Sequence, residues 1–507
     1  MPCTIHTGTV VGVDACPVEV EVDLVRRLPH VTVVGLPADA VRESTERVRS
    51  AILASGFAFP KLRIIINLAP ADLRKRGTGF DLPIALGILA ASGQIPGDRI
   101  GRFLFTGELS LSGELRPVRG VLSLALLAAE RGAAGIVVPQ EVASQGAVVR
   151  GIDTVGLCTL MEVVEFLRGE GTPTPACATS PSPTRDNSDL ADVKGQLMAR
   201  RALEIAAAGS HSLLLLGPPG VGKTMLASRL PSILPPLTFD EALEVTKVHS
   251  IAGLLPPGLS LVQRRPFRAP HHSISAAGLL GGASLLPGEL TLAHNGVLFL
   301  DEIAEFSRNA LEQLRAPLEA RAVMIVRAQG RVRFPANVSL VAAANPCPCG
   351  FMGHPVRPCR CTEGQIGRYQ RRLSGPLMDR LDLVVAVEPL VTDALFAPAR
   401  GESSATVRER VVAARRLQTA RYADQPFHCN AQLDGPTTRR HARLGTRAEA
   451  FLRSAAESLS LSGRGCDRVL RVARTIADLE GAPDVEMGHV AEAVSYRTEG
   501  VTTCAPA

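Results

Sequence analysis

Eight consecutive residues, Gly217-Pro218-Pro219-Gly220-Val221-Gly222-Lys223-Thr224, match the spacing G-x-x-x-x-G-K-[ST] in full. Each residue type has a chemical reason to be there. The glycines let successive backbone N–H groups turn inward on a chain of phosphates, and the positive end of the following helix adds to that field. Lys223 brings a point charge to the β- and γ-oxygens, and the Thr224 hydroxyl suits a Mg2+ shell. Downstream, Val297 to Leu300 reads as a buried strand with Asp301 and Glu302 at its C-terminal end, where ligands gather in open α/β sheets. Asp301 can hold Mg2+, and Glu302 can polarise an attacking water. A structural acid pair at a strand end is the plainer reading, but it does not explain why the pair follows a glycine loop. The two motifs together imply ATP and Mg2+ as ligands and hydrolysis as the reaction.

A second group of residues has metal-ligand character. Cys347-x-Cys349 and Cys359-x-Cys361 bracket a short loop, Gly350 to Pro358, that contains Gly353 and His354. Two thiol pairs across such a loop suit tetrahedral Zn2+, although C-x-C is tighter than the usual C-x2–4-C. A metal-free cysteine loop and a redox pair are the alternatives. The total of 11 cysteines is odd, which argues against a closed disulfide framework, and a cytoplasmic setting would keep the thiols reduced.

The elements that must position these residues follow from pattern and composition. A chain of 507 residues implies about two to four domains. With 46% hydrophobic and 21% charged residues it has a globular balance, and with 4% aromatics and no Trp it is poorly equipped to stack on single-stranded bases. A net charge of +6 only weakly favours polyanions. The N-terminal MPCTIHTGTVVGV lacks a signal pattern, and runs such as Leu82 to Ala91 are too short to span a bilayer. A cytoplasmic protein with no membrane partner is expected.

Residues 1–168 read as one α/β domain, with strands at Thr9–Val13, Val31–Val34, Arg63–Asn67 and Gly135–Val138 and helices at Ala40–Leu53 and Val121–Arg131. Residues 169–188 are rich in Pro, Ser and Thr and read as a linker. From 189 to 390 a helix at Leu190–Ala208 and a strand at Ser212–Leu216 lead into the glycine loop, and strand, loop and helix then repeat as in a parallel sheet. Residues 391–507 hold four helical stretches, Ala405–Ala423, Thr446–Ser460, Cys466–Leu479 and Val485–Tyr496. The expected class is α/β, a P-loop module with a C-terminal helical lid behind an N-terminal α/β domain.

Several long strings narrow this further: Arg268-Ala-Pro-His-His-Ser273, Pro287-Gly-Glu289, Leu292-Ala-His-Asn-Gly296, Asn345-Pro-Cys-Pro-Cys-Gly350 and the run from Leu373 to Asp382, LSGPLMDRLD. With the P-loop they resemble the magnesium-chelatase-like branch of AAA+ ATPases and, within it, the ComM/YifB family, over nearly the whole chain. The resemblance implies that Asn345 senses the γ-phosphate and that Arg380 is an arginine finger reaching a neighbouring subunit's nucleotide. A surface arginine capping an acidic strand end is the alternative for Arg380. Arg464 resembles the second sensor, with Arg468 a competitor one turn on. A finger acting between subunits implies a ring, a homo-hexamer as in AAA+ relatives. Met324 to Pro335 has hairpin composition and matches a loop facing the pore, where Arg327, Arg331 and Arg333 would meet a DNA backbone. A solvated hairpin with ordinary arginines is the alternative.

Phe105 to Val118, FTGELSLSGELRPV, resembles the proteolytic domain of Lon, a ribosomal-S5-domain-2-like fold. The positions of its Ser–Lys pair fall near Gly79 and Leu124, so no peptidase activity is expected, and neighbouring Ser123 lacks its lysine. Arg74-Lys75-Arg76 is read as a DNA contact or a solvated loop. The function the resemblance implies is an ATP-driven motor on DNA, a helicase or branch-migration factor in natural transformation and recombination. A chelatase-type motor that remodels a partner for Mg2+ insertion into porphyrin is the alternative.

Overall fold

The computed structural model describes residues 2–170, 175–178, 188–256, 258–282, 285–327, 330–354, 356–373, 380–389 and 401–502. Most of the expected linker, the hairpin positions Ala328 and Gln329, and Ser374 to Asp379 of the LSGPLMDRLD run lie outside them. The chain divides into two compact units: Met1–Thr184 with Phe239–Gln263, and Arg185–Thr238 with Arg264–Ala507.

In the first unit β1 (Cys3–Val11) and β2 (Asp14–Val25) form an antiparallel hairpin across Gly12-Val13. The expected strand Thr9–Val13 is therefore the end of a longer one plus its turn. β3 (His30–Val34) runs parallel to β4 (Arg63–Ala69), giving the order β1-β2-β4-β3. Alternate residues Val18, Val20 and Val22 of β2 and Ile64, Ile66 and Leu68 of β4 are buried, because successive strand side chains point to opposite faces. The helices Asp39–Ala54 and Asp81–Ala91 cover that face. A second sheet of parallel β5 (Phe103–Phe105), β8 and β9 accompanies the small hairpin β6 (Glu108–Leu109) and β7 (Leu115–Arg116). Here β8 is Gly135–Pro139 and β9 is Asp153–Leu157.

Two details of this unit depart from expectation. Lys75 is wholly buried and donates its ammonium to the Pro70 carbonyl, so it is neither a DNA contact nor part of a solvated loop. The helix Phe239–Ala252, inside the stretch expected for the ATPase, packs into this N-terminal unit. Leu243 and Leu261 join the cluster around Val121 and Leu124; Ser250 donates to Gln145 at 2.8 Å and accepts from the Gly120 N–H at 3.2 Å.

The second unit is built on five parallel strands in the order β11-β12-β15-β10-β16. These are β10 (Leu213–Leu216), β11 (Phe267–Arg268), β12 (Val297–Leu300), β15 (Ser339–Ala344) and β16 (Leu383–Ala386), with β13 (Ala322–Arg327) and β14 (Gly330–Pro335) forming a separate hairpin. The strands β10, β12 and β15 are buried along their whole length, as strands covered on both faces must be. The helix expected from Leu190 begins at Leu197 instead: Asp189 caps a short 3-10 turn, Leu190–Asp192, and Gln196 in the left-handed conformation breaks the path. C-terminally the helices Ser404–Arg421, Gly435–Ala442, Thr446–Ser458, Gly463–Leu479 and Met487–Thr502 follow, one more than the four expected. They share a core with the helix Leu197–Gly209 and the sheet. Behind it His211 binds Asp382 at 3.2 Å and Thr475 at 2.7 Å. Burial alone would raise the Asp382 carboxyl, but Arg471 and His211 outweigh it and hold that carboxyl well below the usual range.

Candidate active site

The glycine loop leaves the C-terminal end of β10 and closes into the helix Lys223–Ile233. Gly222 caps that helix at φ +93, a backbone region that L side chains rarely adopt, and so frees the first turn to face the loop. The Lys223 ammonium reaches back over the loop, donating to the Gly217 carbonyl at 2.6 Å, the Pro218 carbonyl at 2.8 Å and Asn345 Oδ1 at 2.9 Å. Burial lowers its pKa, while Asp301 and Glu302 act in the opposite sense. Thr224 Oγ1 donates to Asp301 Oδ2 at 2.7 Å, and the other Asp301 oxygen accepts the Glu302 N–H at 3.0 Å. Lys223, Thr224, Asp301 and Asn345 therefore converge from three adjacent strands. Their oxygen ligands suit a hard cation such as Mg2+.

Glu302 follows Asp301 at φ 50, a left-handed conformation that costs a non-glycine residue about 1 kcal/mol and turns its side chain away from the strand. There it lies 3.7 Å from His272, whose ring is tilted at 34° against that of His271. Arg268 of the same RAPHHS string forms a bidentate pair with Glu289, both contacts 2.7 Å. The strings had marked His272 and Glu289, but spacing alone assigned them no partner. Tyr369 was not singled out at all. It is buried, and burial pushes its hydroxyl up to about 12 although the Asn345 backbone N–H pulls the other way.

Arg380, Arg464 and Arg468 lie elsewhere. All three line a cavity of about 540 Å3 with Arg321, Arg471, Glu319, Asp434 and Asp467, and no P-loop residue lines it. Arg380 is ion-paired with Glu319. It precedes β16, and β16 pairs with β10 in parallel register, Leu213 opposite Leu383. Arg380 thus sits at the N-terminal edge of the sheet, and the P-loop leaves the C-terminal edge one strand length away, on the order of 13 Å. Arg464 is exposed at the start of its helix, whereas Arg468 is buried at 5% and donates to the Arg464 carbonyl at 3.2 Å.

The β13–β14 hairpin separates the three arginines expected to act together. Arg331 and Arg333 share the exposed face with Met324 and Val326, while Arg327 alternates to the other face at the tip. The four cysteines do come together: Cys347, Cys349, Cys359 and Cys361 bring all their sulfurs within 4.8 Å of one another.

A parallel sheet with the P-loop after β10, an acid pair after β12 and a polar residue after the central β15 defines an AAA+ ATPase-like protein. Family models described as magnesium chelatase, subunit ChlI, its C-terminal region, and subunit ChlI of Mg-chelatase match residues 189–395, 401–497 and 20–142. Competence protein ComM of Haemophilus influenzae is 44% identical over 97% of this chain and 97% of its own length. Protein YifB of Escherichia coli is 43% identical over 97% and 96%, and an uncharacterized protein of Mycobacterium tuberculosis is 46% identical over 96% and 97%. The chain belongs to the ComM/YifB family of magnesium-chelatase-like proteins, a family that implies ATP and Mg2+.

Proposed function

We propose that this chain is an ATP-hydrolysing motor that works on DNA as a homo-hexameric ring, a helicase or branch-migration factor in transformation and recombination. One observation carries the ring: Arg380 and Arg464 open at the sheet edge opposite their own P-loop. Neither arginine can reach its own chain's phosphates across the sheet, so each serves the nucleotide of a neighbouring copy. Arg464, being exposed, is the sensor of the pair, and Arg468 supports it.

Thr224 and Asp301 would hold Mg2+, which when bound neutralises charge on the phosphate oxygens. Lys223 draws the β- and γ-phosphates into the loop; Asn345, already bonded to Lys223, reads the γ-phosphate. Glu302 orients the attacking water and takes its proton, and Arg380 from the neighbour stabilises charge on the transferred group. The exposed Arg331 and Arg333 support a sequence-independent hold on a phosphate backbone. The kinship with a protein named for competence agrees with a DNA load.

We read the N-terminal unit as a Lon-like domain without peptidase chemistry. A Cβ at Gly79 would stand 2.6 Å from Thr106 Oγ1, Leu124 is buried in the core, and Ser123 donates to the Val13 carbonyl at 2.7 Å. Among the described residues no helix is long and apolar enough to cross a membrane.

The decisive experiment measures ATP hydrolysis with and without single-stranded, forked and four-way DNA across a salt series, together with strand displacement. Stimulation that fades steeply with salt is expected. If none of these DNAs binds or stimulates, the DNA reading fails and the chelatase-type motor acting on a protein partner takes its place.

A further inference from the structure

We infer that Cys347, Cys349, Cys359 and Cys361 form a tetrathiolate Zn2+ site, and that the metal holds the γ-phosphate sensor Asn345 and Pro219 of the P-loop in register. The sulfur of Cys347 lies 3.4 Å from that of Cys349 and 3.6 Å from that of Cys359, and Cys349 lies 3.5 Å from Cys359. Four thiolates about 2.3 Å from a tetrahedral zinc stand about 3.8 Å apart, close to these separations. A disulfide needs about 2.05 Å, so none of these pairs is bonded. Backbone N–H groups already face the sulfurs, Met352 toward Cys347 and Cys349 toward Cys361, each at 3.4 Å. Such donors accompany metal-bound thiolates because they spread the excess negative charge.

The rest of the loop has little to fold around: Val356 is 82% exposed and Cys347 is the one cysteine of the four that is fully buried. Metal binding would supply the missing cohesion. What it would fix is adjacent on both sides. Cys347 follows Asn345 by two residues. Gly350, at φ +84, packs so tightly on the P-loop that an added Cβ would stand 2.5 Å from Pro219 Cδ. Beyond Cys361 the helix Glu363–Leu373 begins, carrying buried Tyr369 back to the Asn345 backbone. The thiols thus tie the sensor strand, the P-loop and this helix into one knot, whichever polymer or partner the motor acts on.

The test begins with elemental analysis of the full-length protein. One zinc per chain is expected, lost in Cys359→Ser/Cys361→Ser. No metal, iron in its place, or zinc retained by that variant overturns the site. Because the variant could misfold, wild-type protein is also loaded with Co2+. Intense sulfur-to-cobalt absorption supports the four thiolates, and its absence overturns them. For the coupling, zinc is stripped from wild type with a chelator selective for zinc over magnesium. Hydrolysis should fall about ten- to a hundredfold, as for a catalytic group displaced by about 1 Å, and return on adding zinc. Unchanged hydrolysis after complete stripping overturns the link to Asn345 and Pro219 while leaving the metal site standing.

Discussion

Glu302 and Lys223 lie at one site, and in the proposed mechanism they act on different partners, water and phosphate, so their substitutions should separate. Glu302→Gln keeps the shape of the side chain and removes its basicity. Binding of a fluorescent ATP analogue should persist while phosphate release falls by at least about a hundredfold. Equal loss of both would show that Glu302 binds nucleotide. Asp382 offers a different kind of test, since its carboxylate anchors His211 and Arg471 behind the sheet. Its pKa in the folded chain is depressed, so its contribution is present above the unfolded value of about 4 and lost as pH falls through the lower folded value. Asp382→Asn should destabilise the second unit by about 3 kcal/mol at pH 7, read by denaturant titration. The gap from wild type should begin to narrow below about pH 4 and close only at the lower folded value, and a gap independent of pH would remove the electrostatic explanation. At this scale much of the site is legible in sequence, because GPPGVGKT is contiguous and its geometry is local. His272 and Tyr369 are not: His272 meets Glu302 because β11 lies beside β12, and Tyr369 reaches Asn345 from a helix that begins beyond the cysteine loop.

Among the elements, the β13–β14 hairpin carries the sharpest expectation. Arg331 and Arg333 lie on one exposed face, and each phosphate contact adds about 0.7 to 0.9 to the salt dependence of binding. The Arg331→Ala/Arg333→Ala chain should lose roughly 1.5 from the slope of log affinity against log salt, with its DNA-independent hydrolysis intact. An unchanged slope would return the hairpin to ordinary surface. Arg327→Ala should matter less, since it lies on the other face. Element by element, the strands with strong β character were readable, and Val297–Leu300 has the bounds its pattern implies. The strand Asp14–Val25 was missed although Val18, Val20 and Val22 alternate, because its glutamates and Pro17 dilute the apolar signal. The helix Gly435–Ala442 was missed because it is short and polar, and the cue was its cap, Asp434, which accepts the Thr437 N–H at 2.9 Å.

For the whole molecule, the separation of Arg380 from its own P-loop predicts complementation. Arg380→Ala and Lys223→Ala chains, each nearly inactive alone, should regain hydrolysis when mixed, because an intact P-loop can then face an intact finger. No recovery in mixed rings would argue that Arg380 serves its own subunit. The destination of Phe239–Gln263 was the least legible feature of the fold. A local pattern cannot say which of two cores the helix Phe239–Ala252 joins. Once it is seen in the N-terminal unit, the chain passes between units three times, at 184/185, 238/239 and 263/264. That interlacing has a practical consequence. A fragment ending at residue 168 would lack the helix that Gly120 and Gln145 bind, and an ATPase fragment starting at 189 would carry Leu243 and Leu261 bare of their neighbours. Both pieces should aggregate, and grafting 239–263 onto the first should restore its solubility. The N-terminal unit is therefore not a detachable cassette: the stretch that completes its core is carried inside the ATPase segment.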